Sequence, residues 1–482
     1  MKTSDPLPVS WPSEFTSFYQ PGTAAFPIQG DRITVLQEPR DFYDTLRSRI
    51  LTARRRITLA TLYVGHEEQD LIETLEIALG NNHELQVHVL FDALRGTRQR
   101  AVGNSPADRF VTLLQRYPGR FHLALYHTPD LHGLRKRLYP ERYNESIGLM
   151  HIKAYIFDDD LILSGANLSR DYFSNRQDRY LWFQQQRHLV DYFDGLVRQL
   201  VALAYRVIPQ PHSTPTAYRL VAEESPDPIA QPSQFRDFAY KRLRTWLNQW
   251  AVQSQAIAPT VTNPDTWLVP TVQLPPLGIQ DDQRYLMTLL RQLDKVSLAH
   301  PTTRAQFTSA YFNIASPIQR AILGSRAQFQ LLVAAPQANG FYNASGISKY
   351  IPAAYSSFEY DFYRRAQHSM IHQPQRRITV SEYHRPGWTF HGKGLWFYLG
   401  DDPTPSVTVV GSSNYGFRSF KRDLECQATV YTTNRALKSA LHQEIKALHR
   451  YATPVSGSTF AHPSRWVPRW VKLVKPFIRG YF

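Results

Sequence analysis

Two stretches of the sequence place a histidine and a lysine at the same spacing. His151 and Lys153 begin HIKAYIFD, and His391 and Lys393 begin HGKGLWFY. On a β-strand, residues two apart face the same side, so each stretch presents an imidazole beside an ammonium group. If the stretches converge, one imidazole attacks phosphorus and the other protonates the leaving oxygen. We expect His151 to be the nucleophile and His391 the general acid and then base, although the reverse assignment fits the sequence equally well.

Each stretch is followed by a turn that contains an asparagine, and then by an acid. Asn167 and Asn414 lie in SGANLS and GSSNYG, and Asp178 and Glu425 each follow 11 residues later. We expect the lysines and asparagines to hold the non-bridging oxygens of the reacting phosphate. We expect each acid to bond an imidazole N–H and fix its tautomer. These groups do the electrostatic work of a magnesium ion, so neither a metal nor a cofactor is expected.

These side chains also have ordinary structural interpretations. An asparagine often caps a turn. Arg179 and Arg422 lie close in sequence to Asp178 and Glu425, so either acid could form a salt bridge instead. The acidic run 158–160 could hold a cation, but an acidic strand end that bonds a neighbouring loop is the stronger interpretation.

The segments around the two stretches repeat as well, in the same order. Apolar, β-branched runs predict strands upstream of each stretch, and EEQDLIETLEIAL and PIQRAILG show helical spacing between the first two strands. The strand runs are 57–65, 85–96 and 121–127 in one copy and 307–315, 329–340 and 377–384 in the other. This alternation predicts an α/β fold of two pseudo-symmetric α/β/α halves, packed face to face around one shared active site.

Composition shifts divide the chain around these halves. Prolines concentrate in PQPHSTPTAY and SPDPIAQPS, which is typical of a linker. The predicted divisions are an N-terminal extension at 1–30, a first half at 31–208, a Pro-rich linker with a connecting helix at 209–262, a second half at 263–451 and a basic aromatic tail at 452–482.

The charge and composition limit the classes of partner. Lys and Arg exceed Asp and Glu by 15, which favours an anionic partner: nucleic acid, a lipid surface or a phosphorylated small molecule. The single cysteine, Cys426, excludes an internal disulfide and a thiolate zinc site. Apolar runs are shorter than the roughly 18 residues that span a bilayer. The first residues, MKTSDPLPVSWPSEF, show neither a signal peptide nor an Arg-rich transit peptide.

HIKAYIFD with GANLS, and HGKGLWFY with GSSNYG, resemble the phospholipase D superfamily over roughly residues 31–450. Within it, SGANLSRDYFSNRQDRY and SFKRDLECQ resemble the eukaryotic-type phosphatidylglycerophosphate synthases. That family transfers a phosphatidyl group from CDP-diacylglycerol to glycerol 3-phosphate and releases CMP, in the synthesis of anionic phospholipids including the cardiolipin precursor. The resemblance implies these two substrates, an anionic membrane surface as a partner, no nucleic acid, and a peripheral location on the mitochondrial inner membrane. The oligomeric state is not predicted.

The second motif departs from the superfamily pattern. Asp158 ends the first motif, but Tyr398 stands at the matching place in the second. In the family pattern this Asp is a supporting residue, so its loss leaves His391 and Lys393 in place. Tyrosyl-DNA phosphodiesterases lack the Asp in both motifs and are therefore disfavoured. The serines of the second turn are expected to be supporting residues as well, and they are Ser412 and Ser413.

Basic residues outside the motifs are candidates for substrate contacts. Arg135 and Lys136 lie in HGLRKRLYPERYN, an insertion of the first half, where they are predicted to hold glycerol 3-phosphate, to touch lipid headgroups or to form an ordinary solvated loop. Lys349, in GFYNASGISKYIPAAY, is a candidate contact for a nucleotide or phosphate. In the tail, Trp466 and Trp470 alternate with basic residues, which predicts an interfacial anchor, a segment docked on the core or a nucleic-acid contact.

Two other classes of function remain open at this stage. One is another enzyme of the superfamily: a phosphatidylserine or cardiolipin synthase, a phospholipase or a nuclease. The other is a non-catalytic module that binds lipid or nucleic acid, which the two imidazoles disfavour because binding alone does not need the second.

Overall fold

The chain folds into two β-sheets of matching topology, covered by helices. The computed structural model describes residues 7–8, 11–99, 105–140, 144–210, 217–373, 375–478 and 480. Parts of the predicted extension, linker and tail lie outside the described residues: 1–6, 9, 10, 211–216, 479, 481 and 482.

The strands through the linker are β1 (Phe26–Ile28), β2 (Ile33–Leu36), β3 (Arg56–Ala60), β4 (Gln86–Asp92), β5 (Phe121–Tyr126), β6 (Ala154–Phe157), β7 (Asp160–Ser164), β8 (Arg176–Gln177), β9 (Tyr180–Phe183), β10 (Tyr205–Pro209) and β11 (Tyr218–Val221). Those that follow are β12 (Thr266–Leu274), β13 (Ile279–Gln280), β14 (Arg304–Ser309), β15 (Gln328–Ala334), β16 (Ile378–Tyr383), β17 (Thr389–Phe390), β18 (Gly394–Tyr398), β19 (Val407–Gly411), β20 (Glu425–Thr432) and β21 (Ala452–Pro454).

The α-helices are α1 (Pro39–Thr52), α2 (Gln69–Asn81), α3 (Ala93–Gly96), α4 (Val111–Arg116), α5 (Gly133–Leu138), α6 (Arg170–Ser174), α7 (Arg187–Val201), α8 (Pro232–Ile257), α9 (Asp281–Ala299), α10 (Ser316–Gly324), α11 (Ile351–His372), α12 (Phe417–Lys421), α13 (Arg435–His449), α14 (Gly457–Ala461) and α15 (Arg469–Ile478).

The two sheets repeat the same strand order. The first runs β11-β10-β5-β4-β3-β6-β7-β9-β2, and the second runs β21-β16-β15-β14-β18-β19-β20-β12-β1, with β13 paired to β12. In each, three parallel strands are continued by antiparallel ones: β3, β4 and β5 in the first sheet match β14, β15 and β16 in the second. The sheets therefore confirm the predicted α/β fold with two pseudo-symmetric halves.

Three apolar clusters define the layers. One joins the inner faces of both sheets with α7 and α13, and contains Ile152 and Leu163 of the first half with Trp396 and Val430 of the second. The other two lie outside the sheets, under α1 and α2 in the first half and under α9, α10 and α11 in the second. Strands covered on both faces need apolar residues at successive positions, which explains the fully buried β6 and β12. The halves thus pack face to face, as predicted.

The helices of the shared cluster are amphipathic, which is why they can lie between apolar and polar surroundings. In α7 the buried positions recur every three or four residues, which is the period of one helix face. They are Leu189, Val190, Phe193, Leu196, Val197 and Leu200. The equivalent positions of α13 are Leu437, Leu441, Ile445 and Leu448.

Segments outside the predicted halves pack against them. Phe15 and Phe18 precede β1 and are buried in the outer cluster of the second half. In the predicted tail, β21 pairs with β16 as β10 pairs with β5. Further along, α15 lies against α11, and Lys475 contacts Asp361 there. In the part of the chain that the structure describes, no helix is long and apolar enough to cross a bilayer.

Candidate active site

Backbone contacts between the halves align the two histidine motifs. β8 pairs in parallel with β17, and a bridge joins Met150 to Leu424. The His391 N–H donates to the Gln177 carbonyl at 2.7 Å, and the His151 N–H donates to the Leu424 carbonyl at 2.8 Å. Gln177 and Leu424 immediately precede Asp178 and Glu425 in the sequence. Each histidine is thereby held beside the acid of the other half.

The acids and imidazoles consequently pair crosswise. Nδ1 of His391 lies 2.7 Å from Asp178 Oδ2, and Nδ1 of His151 lies 2.9 Å from Glu425 Oε2. All four side chains are buried. A neutral imidazole that donates from Nδ1 to a carboxylate keeps its lone pair on Nε2, which is the form required of a nucleophile or a base. The sequence predicted that the acids orient imidazoles, but it left open which acid serves which histidine.

Glu425 is held by hydroxyl groups of its own half. Ser412 donates to Oε2, and Ser419 donates to Oε1 at 2.9 Å. Ser413 instead accepts the backbone N–H of Tyr415 at 3.1 Å, which shapes the turn around Asn414. Ser412 therefore contacts the acid, whereas Ser413 supports only the backbone.

Asp178 is contacted by an ammonium group at the place where a hydroxyl group contacts Glu425. Lys393 Nζ lies 3.5 Å from Asp178 Oδ2, and the Arg179 N–H donates to Oδ1 at 2.8 Å. Gly165 occupies the position of Ser412 in the first half, and a Cβ there would collide with Lys393 Nζ. The glycine of SGANLS therefore leaves the space that the second lysine fills.

Each lysine also donates to the carbonyl of the histidine two residues before it. The distances are 2.7 Å from Lys153 Nζ to the His151 carbonyl and 2.8 Å from Lys393 Nζ to the His391 carbonyl. Burial lowers the pKa of Lys153 to about 7 and also lowers the pKa of Lys393. A bound phosphate would favour the charged ammonium form and raise both pKa values.

Burial sets the protonation states of the imidazoles and acids. It lowers the pKa of His151, and it lowers the pKa of His391 to about 3 with a contribution from Lys393. Burial alone would raise the pKa of each acid, but Lys393 and His391 hold the pKa of Asp178 below its usual value. His151 does the same for the pKa of Glu425. Without substrate, the site therefore holds neutral imidazoles and ionised carboxylates at neutral pH.

The asparagine side chains have unused hydrogen-bonding capacity. Oδ1 of Asn167 and Oδ1 of Asn414 are buried and have no hydrogen-bond partner among the described residues. Most buried polar atoms in proteins are paired, so an unpaired atom in a cleft indicates a place for a ligand. An amide offers donors as well as an acceptor, which suits contact with a phosphate group or a hydroxyl.

Tyr172 and Tyr311 contact His391, although neither was predicted from the sequence to be a site residue. The Tyr172 phenol oxygen lies 3.3 Å from His391 Nε2, and the Tyr311 ring meets the imidazole edge to face at 5.8 Å. Arg176 lies over the Tyr172 ring, 4.8 Å from its centroid. Alignment of the two halves would have drawn attention to Tyr172, because the residue five positions after the asparagine is Tyr172 in one half and Ser419 in the other.

The residues at the eighth position of the two motifs, Asp158 and Tyr398, lie away from the histidines. Asp158 takes a positive φ of 52° in the turn between β6 and β7, and its carboxylate accepts the backbone N–H groups of residues 54–56. Tyr398 remains within β18, where Arg304 lies 4.1 Å from its ring centroid, and the chain turns later, at Gly400. Each residue thus contacts the beginning of the neighbouring strand. Because the chain does not turn at Tyr398, that position does not need an Asp to accept backbone N–H groups.

The basic residues predicted outside the motifs are exposed. Arg135 and Lys136 lie on α5, and Lys349 lies 5.1 Å from the Tyr350 ring centroid. Among the described residues, these three side chains make no hydrogen bond or ion pair with the histidines or acids of the site. Their predicted roles in substrate binding stay predictions.

Known proteins resemble the chain along nearly its whole length, although no protein-family model matches it. Relatives named CDP-diacylglycerol–glycerol-3-phosphate 3-phosphatidyltransferase, mitochondrial, are 38% identical in Gallus gallus and 36% identical in Homo sapiens. Each match covers 95% of this chain, with 85% of the chicken protein and 84% of the human one. The Schizosaccharomyces pombe relative, named CDP-diacylglycerol–glycerol-3-phosphate 3-phosphatidyltransferase, is 32% identical over 93% of this chain and 95% of its own length.

A solved structure shares the fold. Phosphatidylserine synthase of Haemophilus influenzae superposes with a TM-score of 0.67 at 18% identity, and the match covers 95% of both chains. At this identity the likeness concerns the fold alone, and it agrees with the two-sheet architecture described above. The sequence relatives carry the closer assignment: this chain belongs to the family of CDP-diacylglycerol–glycerol-3-phosphate 3-phosphatidyltransferases.

Proposed function

We propose that the protein transfers a phosphatidyl group from CDP-diacylglycerol to glycerol 3-phosphate and releases CMP, through a phosphatidyl-histidine intermediate. The observation that carries the mechanism is the crosswise pairing of two buried imidazoles with two ionised carboxylates. The names of the relatives supply the reaction and its substrates. In the double displacement, the first imidazole is the nucleophile and the second transfers protons.

In the first step, Nε2 of one histidine attacks the phosphorus atom that carries the diacylglycerol. An N–P bond forms, the P–O bond to CMP breaks, and the other imidazole, in its protonated form, gives a proton to the CMP oxygen. The negative charge of the donor favours that imidazolium, against the low pKa that burial imposes. In the second step the same imidazole takes the proton of an acceptor hydroxyl, whose oxygen displaces histidine from phosphorus.

Tyr172 distinguishes the two histidines. Its hydroxyl contacts Nε2 of His391, whereas Nε2 of His151 has no phenol bonded to it among the described residues. We therefore assign His151 as the nucleophile and His391 as the group that transfers protons. Lys153, Lys393 and the two asparagine amides are assigned to the non-bridging oxygens, where charge develops in the transition state.

The donor is a diacyl lipid, so the protein must reach a membrane surface. On α15 and just before it, Trp466 and Leu473 are 72% and 75% exposed, and Lys472 is exposed beside them. Aromatic and aliphatic side chains interspersed with cations suit the interface of an anionic bilayer. Because the vertebrate relatives are named mitochondrial, we assign the protein to the mitochondrial inner membrane as a peripheral enzyme.

Release of CMP from CDP-diacylglycerol in detergent micelles tests the function. The assay contains EDTA and is run with and without glycerol 3-phosphate, on the wild type and on His151→Ala and His391→Ala. We expect lipid product and CMP only with the acceptor present, with EDTA tolerated and with both variants inactive. Sustained release without acceptor would indicate hydrolysis, and a requirement for a metal would contradict the mechanism.

Acceptor and vesicle experiments test the finer assignments. Serine or phosphatidylglycerol as the preferred acceptor would instead indicate phosphatidylserine or cardiolipin synthesis. Flotation with vesicles that contain anionic lipid should depend on the tail, so Trp466→Ala with Leu473→Ala should weaken binding. Binding that does not change in this double variant would place the membrane contact elsewhere on the protein.

A further inference from the structure

A cavity of about 290 Å³, lined mainly by residues with charged side chains, lies in the first half, between α3, α6 and the segment after β3. Neither the histidine motifs nor the candidate basic residues of the sequence analysis belong to it. Its lining includes Tyr63, Glu67, Glu68, Arg95, Arg98 and Ser169.

The cavity lies beside the His391 side of the active site. Asp171, in its wall, immediately precedes Tyr172 in the sequence, and Tyr172 and Tyr311 both contact His391. Those two rings meet the imidazole of His391 at 5.1 Å and 5.8 Å between centroids. Ser169, also in the wall, follows Asn167 by two residues. The cavity and the active site therefore share the segment 167–172 as a common wall.

The in-line geometry of the two displacements also requires the acceptor to bind on the His391 side of the active site. In two successive in-line displacements at one phosphorus atom, the leaving group departs and the acceptor arrives opposite the nucleophilic nitrogen. With His151 as nucleophile, CMP leaves and the acceptor enters on the side of His391. The imidazole that protonates CMP is then in place to deprotonate the acceptor hydroxyl.

One end of the cavity has more positive than negative charge. Arg95 and Arg98 both pair with a single carboxylate, Glu145, at 2.9 Å and 2.5 Å. The nearby Asp92 is occupied by the backbone N–H groups of Arg95 and Met150, and burial raises its pKa to about 7. Two guanidinium groups that share one carboxylate leave a net positive charge, and a phosphate group can bind to it through charge-assisted hydrogen bonds.

The other end carries acids and a hydroxyl. Glu68 is buried and accepts the backbone N–H of Arg170, while Glu67 pairs with the Arg170 guanidinium at 3.2 Å. Carboxylate oxygens accept hydrogen bonds from hydroxyl groups and repel a second anion. The cavity therefore suits a molecule with a phosphate at one end and hydroxyl groups at the other.

The second half lacks the positive charge that Arg95 supplies in the first half. Gln337 follows β15 at the position that Arg95 takes after β4, and the first charged residue beyond β15 is Lys349. A pseudo-symmetric enzyme with one acceptor needs such a site in one half only, so the difference between the halves is consistent with a dedicated acceptor site.

We propose that this cavity binds glycerol 3-phosphate, with the phosphate on Arg95 and Arg98 and the glycerol hydroxyls toward Ser169 and Glu68. The proposal rests on the proposed function, since it places the acceptor of that reaction. It assigns to Arg95 and Arg98 the role that the sequence analysis gave to Arg135 and Lys136.

Steady-state kinetics of Arg98→Ala, Arg98→Lys and the control Lys136→Ala test the proposal. We expect Arg98→Ala to raise the KM for glycerol 3-phosphate at least about tenfold, the loss that follows from one charge-assisted contact. Arg98→Lys should raise the KM less than Arg98→Ala does, and Lys136→Ala should have the KM of the wild type. The preference for glycerol 3-phosphate over glycerol should fall by the same factor as the KM rises.

Exchange of labelled CMP into CDP-diacylglycerol, measured without acceptor, separates the two proposals. Arg98→Ala should retain exchange within about twofold of the wild type, which also shows that the variant is folded. An unchanged KM for glycerol 3-phosphate in Arg98→Ala, or a raised KM in Lys136→Ala alone, would overturn the acceptor site. Absence of both exchange and transfer in the wild type would overturn the proposed function itself.

Discussion

The phenol oxygen of Tyr172 lies 3.3 Å from Nε2 of His391. The Asn167 amide donates to the same oxygen at 3.3 Å, and with Nδ1 of His391 donating to Asp178 the phenol donates to Nε2, so a directed hydrogen-bond chain runs from amide to hydroxyl to imidazole. In the second half the equivalent residue is Ser419, whose hydroxyl donates to Glu425 instead. The hydrogen-bond chain from Asn167 through Tyr172 to His391 thus distinguishes two otherwise matching motifs.

Tyr172→Phe should change the protonation of His391. The phenol donates to the lone pair of Nε2, which favours the neutral imidazole, so its loss should raise the pKa of His391. We expect kcat to fall by about tenfold and the acidic limb of the rate profile to move to higher pH. A pH profile of kcat/KM for glycerol 3-phosphate measures this, because His391 acts as the base in that half-reaction. Ser419→Ala is the matched control: it should lower kcat without moving that limb, and equal shifts in both variants would contradict the assignment.

Substitutions at the equivalent turn positions Gly165 and Ser412 should lower kcat to different extents. Gly165→Ala places a methyl group against Lys393 Nζ and both carboxylate oxygens of Asp178, so we expect kcat to fall at least about 100-fold through displacement of that ion pair. Ser412→Gly removes only one hydrogen bond to Glu425, so about a tenfold loss is expected. Steady-state kinetics and the melting temperature of both variants check this, and near-normal turnover in Gly165→Ala would exclude a role for Lys393 at that place.

Much of the fold was predictable because it depends on local patterns. The strands of both halves contain β-branched, apolar runs, and the repeat revealed their common order. The crosswise pairing was not predictable, because it depends on backbone contacts between Gln177 and His391 and between Leu424 and His151, which are far apart in sequence. Arg95 was missed since it lies outside the motifs, and its significance depends on a cavity that forms only in the folded chain.

Arg179 was expected as a possible partner of Asp178, but it joins the two halves instead. Its guanidinium bonds Glu444 at 2.8 Å and 3.0 Å, donates to the Val409 carbonyl at 2.7 Å and lies 3.7 Å from the Trp396 ring centroid. Both charged groups are buried.

Removal of one partner should destabilise the protein strongly. Glu444→Ala leaves the Arg179 charge buried and unpaired, so we expect the free energy of unfolding to fall by roughly 3–5 kcal/mol. Arg179→Met combined with Glu444→Leu leaves no unpaired charge and should recover most of that loss. Urea unfolding of the single and double variants measures both values. A single variant as stable as the wild type would show that the pair does not hold the halves together.

Acid should destabilise the protein through His88. Burial and the neighbouring Arg198 lower its pKa to about 3, whereas an unfolded histidine has a pKa near 6.5. Between these values the unfolded chain binds more protons, so this contribution to stability is complete above about pH 6.5 and is lost as the pH falls toward 3.

His88→Gln isolates this effect from the buried acids, whose raised pKa values act in the opposite direction. Relative to the wild type, the variant should gain melting temperature as the pH is lowered from 7.5 to 4.5. Glutamine can still accept from Arg198, which approaches His88 Nε2 at 3.2 Å. A difference between the two proteins that does not change with pH would mean that folding does not lower the pKa of His88, and would contradict the prediction.

The most direct test of the mechanism is capture of the covalent intermediate. The enzyme is mixed with CDP-diacylglycerol radiolabelled at the phosphorus atom that carries the diacylglycerol, without acceptor, and quenched in alkali, where a phosphoramidate bond is stable even if the acyl esters are cleaved. We predict label on the peptide that contains His151, lost on acid treatment, absent in His151→Ala and discharged by glycerol 3-phosphate. Label on the peptide of His391 would reverse the assignment, and CMP release without any labelled peptide would contradict the covalent mechanism.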